Sequence, residues 1–573
     1  MRRRFAQIGT RHVHYRRSGT GPPVVLIHGS PASSEILGSE MQALSATSTC
    51  FAFDTPGFGD SAPLDSREIS IELLADAMAE TLRTLQFPAC PVFGSHTGAA
   101  IAIELARRHP ALVTGLILDG VPMYSNDEQQ QLFSGYFAPL VVDDLGGHFA
   151  NTWTRFRDLF IWFPWTQKQP QNLNDGDAPS AQRLQLWVSM FFRAATHYMP
   201  AYRAAIGYGS QALEAVRALT LPAVFMAQDT DMLYSHLQRL PPLRPQQSIE
   251  RVTRANKLDA ITNAAARLRT LGAAPDDPVL TTSPQRVSRH FFDFDHGQVL
   301  VRVAGDSAAL SGGQTAVGWT SASQTLVLLH DAPGSSLSFE AWMPALTKGR
   351  RVVTLDLPGC GESVPFARDA PTLSDFAALV MQVLDHVGVG SCVLYASGFG
   401  NTLALTLAAL RPARFPRLLL HGMCLPTAAQ QLDMQRHYAP GIEIQADGSH
   451  WYRTWLMLRD SLVYFPWYSG TVRALRRVPA DFDAQTLHQR TFEVLKQAGG
   501  YAQFIQAVLA IEPDELCAAL SSGKVSVTVL EDASHPFAAF SLNARAMASA
   551  LKWQRVEHPA GTTLDALRHC LSM

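Results

Sequence analysis

The stretch Pro91-Val92-Phe93-Gly94-Ser95-His96-Thr97-Gly98-Ala99-Ala100 sets one imidazole, His96, between an apolar run and a helical run from Ile101 to Arg108. A histidine has a reference pKa of about 6.5, so near neutral pH it can take a proton from water or act as a nucleophile. Such a group works best when a carboxylate orients it. Two candidates close apolar runs: Asp119, after Gly115-Leu116-Ile117-Leu118, and Asp231, after Val224-Phe225-Met226-Ala227-Gln228-Asp229-Thr230. A second imidazole, His28, stands in His28-Gly29-Ser30-Pro31, and Ser95 offers a hydroxyl beside His96.

The elements that position these groups follow from the apolar runs. Pro23-Val24-Val25-Leu26-Ile27 is a continuous apolar run, as expected of a strand buried on both faces, and His12 to Tyr15 reads as a strand before it. Strands alternating with helical spans at this spacing predict an α/β protein with a doubly wound, mostly parallel sheet. The series then recurs. His330-Asp331-Ala332-Pro333, the turn beginning at Asp356, Ala396-Ser397-Gly398-Phe399-Gly400 and His421 lie 302 positions after His28, Asp54, Gly94 and Asp119. One offset across four motifs marks a tandem duplication. The same 302 relates Gly146-x-His148-x4-Trp153-x3-Arg157-Asp158-x4-Phe163-Pro164-Trp165 to the block from Gly448 to Trp467. Trp and Arg four apart are expected on one face of a helix that the Phe-Pro-Trp run ends, and Tyr198 is matched with Tyr501. The proline and acid cluster from Gly272 to Pro278 marks the join. Residues 1–275 and 276–573 are therefore read as two domains, with mainly helical caps at about 124–215 and 426–520. The Gly/Ser/Ala-rich span from Gly305 to Gln324 reads as a flexible hairpin loop.

The order of these signals resembles the α/β-hydrolase superfamily: the H-G-x-P loop at His28, the D-x-P-G-x-G-x-S turn at Asp54, the Gly-x-x-x-Gly turn at Gly94 and a late strand ending at Asp231. The resemblance covers nearly the whole chain, as two tandem domains with degenerate catalytic triads. It implies that the turn at Gly94 is the strained elbow that displays its third residue over the sheet. His96 holds that place; Ser95 comes one residue early. The resemblance implies Asp231 as the orienting acid with Asp119 as an alternative, His28 beside the pocket, and an oxyanion hole from the N–H groups of Ser30 and Thr97. The late histidine slot holds Asn256, and the slots of the second half hold Gly398, His535 and Thr562, which predicts a non-catalytic partner domain. Ser30, Ser95, Thr97, His148, Trp153 and Arg157 are the expected substrate-binding residues. The aromatic cap residues Trp153, Phe163, Trp165 and Tyr198 would enclose an apolar substrate.

The expected function is hydrolytic or lyase-like action on an ester, lactone or carbonyl compound at His96. A non-catalytic binding or scaffold protein, and hydrolysis through Ser95 in a distorted elbow, stay open beside it. Structural roles are weighed with these: His28 as a tie between loops, Asp54 and Asp356 as loop-shaping residues, His148 and His450 as fixing the cap helix, and Asp158 and Asp460 as partners of neighbouring arginines.

Composition narrows the field. The chain has 573 residues, 47% hydrophobic and 17% charged, with a formal net charge of −2, so neither nucleic acid nor an anionic membrane is an expected partner. A small-molecule ligand, pairing of the two domains and a possible homo-oligomer are expected instead. The basic N-terminus runs into Gly9-Thr10-Arg11-His12 without an apolar core, which favours a cytoplasmic location. Seven scattered cysteines without C-x-x-C spacing argue for reduced thiols, and no metal or cofactor is expected.

Overall fold

The computed structural model describes residues 1–174, 176–270, 272–277, 286–305, 324–512, 525–540, 543, 552–555 and 562–572. It divides into two compact units, Met1–Val141 with His148–Pro278, and Val142–Gly147 with Val279–Met573.

The first unit is built on an eight-stranded sheet. Its strands are β1 (Arg2–Ile8), β2 (Arg11–Ser18), β3 (Pro23–Ile27), β4 (Thr49–Phe53), β5 (Cys90–Ser95), β6 (Val113–Asp119), β7 (Ala223–Gln228) and β8 (Gln247–Val252). The order is β1-β2-β4-β3-β5-β6-β7-β8, antiparallel at β1/β2 and β2/β4 and parallel thereafter. Every residue of β3 and β4 is buried, as their unbroken apolar runs require once helices cover both faces. β1 is the strand that the sequence reading passed over. Its three arginines look like a solvated leader, yet Phe5, Ala6 and Ile8 are buried, and Arg2↔Arg17 through Ile8↔Arg11 pair along its length. Arg4 Nε donates to Asp277 Oδ2 at 2.9 Å, and Asp277 Oδ1 accepts from Tyr15 Oη and Arg17, each at 3.0 Å. These bonds hold the chain to the first unit through Asp277, two residues past Pro275.

The second unit repeats the plan with β9 (Ser288–Phe294), β10 (Gly297–Ala304), β11 (Gln324–Leu329), β12 (Arg350–Leu355), β13 (Cys392–Ser397), β14 (Arg417–His421), β15 (Ser526–Glu531) and β16 (Lys552–Arg555). The order is β9-β10-β12-β11-β13-β14-β15-β16, the same topology strand for strand. The loops after β4 and β12 are shaped by buried carboxylates. Asp54 accepts the N–H groups of Ser34 (2.7 Å) and Asp60 (2.9 Å), and Asp356 those of Ser336 (3.0 Å) and Glu362 (2.9 Å).

Each unit carries helices between its sixth and seventh strands, from Asn126–Gly135 to Gly209–Ala218 in the first and from Ala428–His437 to Ala502–Leu509 in the second. The two insertions share individual bonds. Ser125 with Glu128, and Thr427 with Gln430, form capping boxes that satisfy the free N–H groups of a helix start. Trp165 Nε1 donates to the Tyr136 carbonyl at 3.0 Å, and Trp467 Nε1 to that of Tyr438 at 2.9 Å. Tyr198 Oη donates to the Ala138 carbonyl at 2.7 Å, and Tyr501 Oη to that of Pro440, so these tyrosines correspond. The peptide bonds before Pro31, Pro164, Pro333 and Pro466 are cis.

Six cysteines are buried and free; Cys517 lies outside the described residues, as do residues 306–323 and the cap span 513–520. Among the described residues no helix is long and apolar enough to cross a membrane.

Candidate functional site

The first unit's elbow follows from its glycines. A Cβ on Gly94 would sit 2.3 Å from the Gly98 carbonyl oxygen, and one on Gly98 would sit 2.1 Å from that of Ile27. Only glycine lets β5 turn this tightly into the helix Thr97–Arg108. Between them His96 adopts φ 51° and ψ −112°, a region that residues with a side chain rarely occupy, so its backbone is strained. Its N–H donates to the Asp119 carbonyl at 2.8 Å and its own carbonyl starts the helix, accepting from Ala99 at 2.9 Å. The ring packs against Gly120, where a Cβ would come within 2.6 Å of His96 Cδ2.

His96 Nε2 lies 2.8 Å from Asp231 Oδ2, and the other oxygen of that carboxylate accepts the Leu233 N–H at 2.8 Å. The two side chains are 30% and 18% exposed, respectively. Burial alone would lower the His96 pKa, but the Asp231 charge and hydrogen bond, joined by the charge of Asp119, outweigh it and leave the pKa raised; Lys257 opposes them. The same pairing overcomes burial at Asp231 and holds it down at about 2.

Asp119, the alternative acid, does not meet the His96 ring through its carboxylate. Its Oδ2 lies 2.7 Å from Lys257 Nζ and accepts the Ser95 hydroxyl at 3.5 Å, in a site where the Asp119 side chain is 2% exposed. Lys257 also approaches Glu40, at 3.9 Å. Burial pulls its pKa down, but Asp119 more than offsets this and the pKa is raised. Lys257 begins the helix after β8 and was missed in the sequence, where its neighbour Asn256 was matched to the late histidine slot. Asn256 instead bonds to the preceding turn, its Oδ1 accepting the Thr253 N–H at 2.7 Å. One signal was available: Lys257 is one of only six lysines among 47 basic residues.

His28 is not brought to this pair. It is 1% exposed, Nδ1 bonds the Gly29 carbonyl at 2.9 Å, and Nε2 accepts the Thr55 N–H at 3.0 Å, so the ring ties two loops together. Burial lowers its pKa. The Ser30 N–H points to Thr97 Oγ1 at 3.3 Å, and Ser30 and Thr97 are both buried. His148 and Trp153 are buried in the helix Gly147–Ile161, His148 against Phe149 at 4.1 Å, while Arg157 on the same helix is exposed. Trp153 and Arg157 lie one turn apart on this helix but differ in burial, and Arg155, seven residues after His148 and on its face, is the arginine that turns inward. Its guanidinium lies over Trp165 (5.2 Å), Phe191 (5.1 Å) and Tyr198 (5.9 Å). Asp158 pairs with Lys168 at 2.6 Å rather than with an adjacent arginine. In the second unit the Trp/Arg pair is in contact, with Arg459 5.8 Å over Trp455. His450 Nδ1 accepts the Gln445 N–H at 3.2 Å, which fixes the start of its helix.

The aromatic side of the insertion reaches the acid loop. Tyr124, Tyr136 and Ile206 pack with Leu233 and Met232, next to Asp231, and Phe163, Trp165 and Tyr202 border them. His14, Asp54 and Asp60 bring ligand-type atoms within 4.8 Å, but Asp54 is occupied by backbone N–H groups and Asp60 pairs with Arg193 at 3.0 Å, so the cluster serves the loop.

A family model for the alpha/beta hydrolase fold matches residues 22–240 and 324–449, together more than half of the chain. The chain belongs to the α/β-hydrolase family. Both segments carry an elbow, so the duplication is one of α/β-hydrolase domains. Among curated relatives, a proline iminopeptidase of Neisseria gonorrhoeae is 31% identical over 111 residues, 19% of this chain and 36% of that protein. A haloalkane dehalogenase of Psychrobacter cryohalolentis is 32% identical over 109 residues, 19% of this chain and 36% of that protein. The matched segments span about a third of these relatives' lengths. The solved structure of epoxide hydrolase A from Mycobacterium thermoresistibile covers 48% of this chain and 99% of its own, at 18% identity and a TM-score of 0.36.

Proposed function

We propose that the first unit is a hydrolase-like domain in which His96 is the general base for hydrolysis of a small ester or lactone. The observation that carries this reading is the 2.8 Å bond from His96 Nε2 to Asp231 on an elbow backbone. With its proton on Nε2 and directed at Asp231, the ring keeps a lone pair on Nδ1, which has no hydrogen-bond partner among the described residues. Nδ1 removes a proton from water, the hydroxide adds to the acyl carbon, and the Ser30 N–H turns from Thr97 to the developing oxyanion. As the C–O bond breaks, the imidazolium returns its proton to the leaving alkoxide. The aromatic cluster beside Asp231 supports an apolar substrate, and the near-neutral net charge fits a small uncharged one in a cytoplasmic setting.

Turnover of activated esters and lactones tests this. A general base must be deprotonated, and the His96 pKa is raised, so activity climbs with pH along a limb above about 6.5. Asp231→Asn removes the charge that raises it and moves the limb to lower pH. His96→Ala costs at least about 100-fold. Loss in Ser95→Ala instead would assign the reaction to the hydroxyl. Ligand binding without turnover in any form would replace this reading with that of a binding protein.

A further inference from the structure

In the second unit a loop residue and an elbow residue have traded side chains. Gly29 and His96 of the first unit correspond to Asp331 and Gly398, each 302 positions on. A Cβ on Gly398 would lie 2.0 Å from Cγ and Oδ1 of Asp331, so the carboxylate fills the volume of an elbow side chain. Its Oδ1 accepts the N–H groups of Ala332 and Phe399, both at 2.8 Å. These correspond to Ser30 and Thr97. Both are taken up by Asp331, so a substrate's acyl oxygen would have to displace its carboxylate to reach this donor pair. Oδ2 accepts no hydrogen bond among the described residues and is the group left to do chemistry.

The surroundings are aromatic and sparsely charged. Phe399 meets Tyr438 and Phe537 edge-on, with centroids at 5.3 and 5.0 Å. Arg490, from the helix Ala484–Leu495, is half-buried, has no hydrogen bond or ion pair among the described residues, and its charge acts on Asp331 and Tyr438. The other titratable groups that feel Asp331 are Cys360, Tyr395, Cys424 and Tyr438, all held neutral by burial. Burial pushes Asp331 up to about 6, against the pull of the two N–H groups and Arg490. Cys424 also lines a small recess with Thr402, Leu425, Gln431, Val508 and Leu509.

The geometry points to a second, independent proton-transfer site in the second unit, with Asp331 Oδ2 as base and Arg490 as the cation that holds the oxygen of a small apolar carbonyl compound. Oδ2 takes a proton from the carbon beside the carbonyl. The C–H electron pair moves onto the carbonyl as an enolate whose oxygen the guanidinium neutralises. The Asp331 carboxyl then returns the proton to that carbon, or to one further along a conjugated chain, giving exchange or isomerisation with nothing else consumed.

Incubating the full chain in D2O with acetophenone and phenylacetone, and following loss of the α-proton signal by NMR, tests the site. Exchange is expected above the solvent rate with a limb near pH 6, where Asp331 titrates. It persists in His96→Ala, which separates it from the first unit's reaction. It falls at least about 100-fold in Asp331→Asn and about 10-fold in Arg490→Gln. Asn keeps an oxygen for the Ala332 and Phe399 N–H groups, so an unchanged melting temperature identifies the loss as chemical. Exchange at the solvent rate with both ketones, exchange unaltered by Asp331→Asn, or an ester adduct on Asp331 found by mass spectrometry would overturn the proposal.

Discussion

The two units keep the same supporting bonds and differ in which loop delivers the polar groups above the sheet. The indole bonds of Trp165 and Trp467 and the phenol bonds of Tyr198 and Tyr501 recur. So does the ion pair from the insertion to the loop after the fourth strand of each sheet, Arg193 to Asp60 and Lys496 to Glu362. Above the sheet the sources change. In the first unit an imidazole comes from the elbow and rests on Gly120; in the second, His535 comes from the loop after β15, and a Cβ on Gly422 would meet its ring at 2.1 Å. His535 Nδ1 accepts the Phe537 N–H at 3.1 Å, and burial lowers its pKa, so it is a neutral donor rather than a base. A duplicated fold can therefore relocate a side chain between loops that border one volume, provided the facing residue is glycine.

That rule is most sharply broken by filling both positions. Gly398→His places a side chain on the Asp331 carboxylate and is expected to cost more than about 3 kcal/mol in denaturant unfolding, and adding Asp331→Gly should recover most of it. If the double variant is no better than the single, the two residues do not share a volume. A smaller effect distinguishes the sixth-strand ends. Asp119 needs Lys257, whereas its counterpart His421 pairs with Asp532 at 3.1 Å and needs no lysine. Lys257→Met leaves a buried carboxylate uncompensated and should cost about 3 kcal/mol, regained when Asp119→Asn is added. The smallest effect tests the shared scaffold: Trp165→Phe and Trp467→Phe each remove one N–H bond to a carbonyl and should cost about 1 kcal/mol each. Clearly unequal losses would show that the insertions are not equivalent supports.

Much of this was legible in the sequence. Unbroken apolar runs identify strands buried on both faces, and a fixed offset of 302 is indifferent to side-chain detail, so the sheets and the duplication were readable. So was His96, because its turn is written in glycines. Lys257 and Asp331 were not, since their roles depend on where a long side chain or a neighbouring loop ends up in space. Arg155 and Arg157 are both inside a plausible helix pattern, and only the packing of the insertion decides which one turns inward. β1 was missed because its buried residues, Phe5, Ala6 and Ile8, do not alternate and stand beside three consecutive arginines.

Those arginines bear on a cost of duplication. One open sheet has two edge strands; among the described residues the two sheets have four, β1, β8, β9 and β16, and an edge strand exposes backbone groups that another chain can pair with. Each of the four carries arginine or lysine, Arg2 to Arg4, Arg251, Arg289 and Lys552, with Glu250 beside Arg251 and Asp293 on the same strand as Arg289. Arg2 to Arg4 make β1 the most strongly charged of these edges, and charge along an edge strand disfavours pairing with another chain.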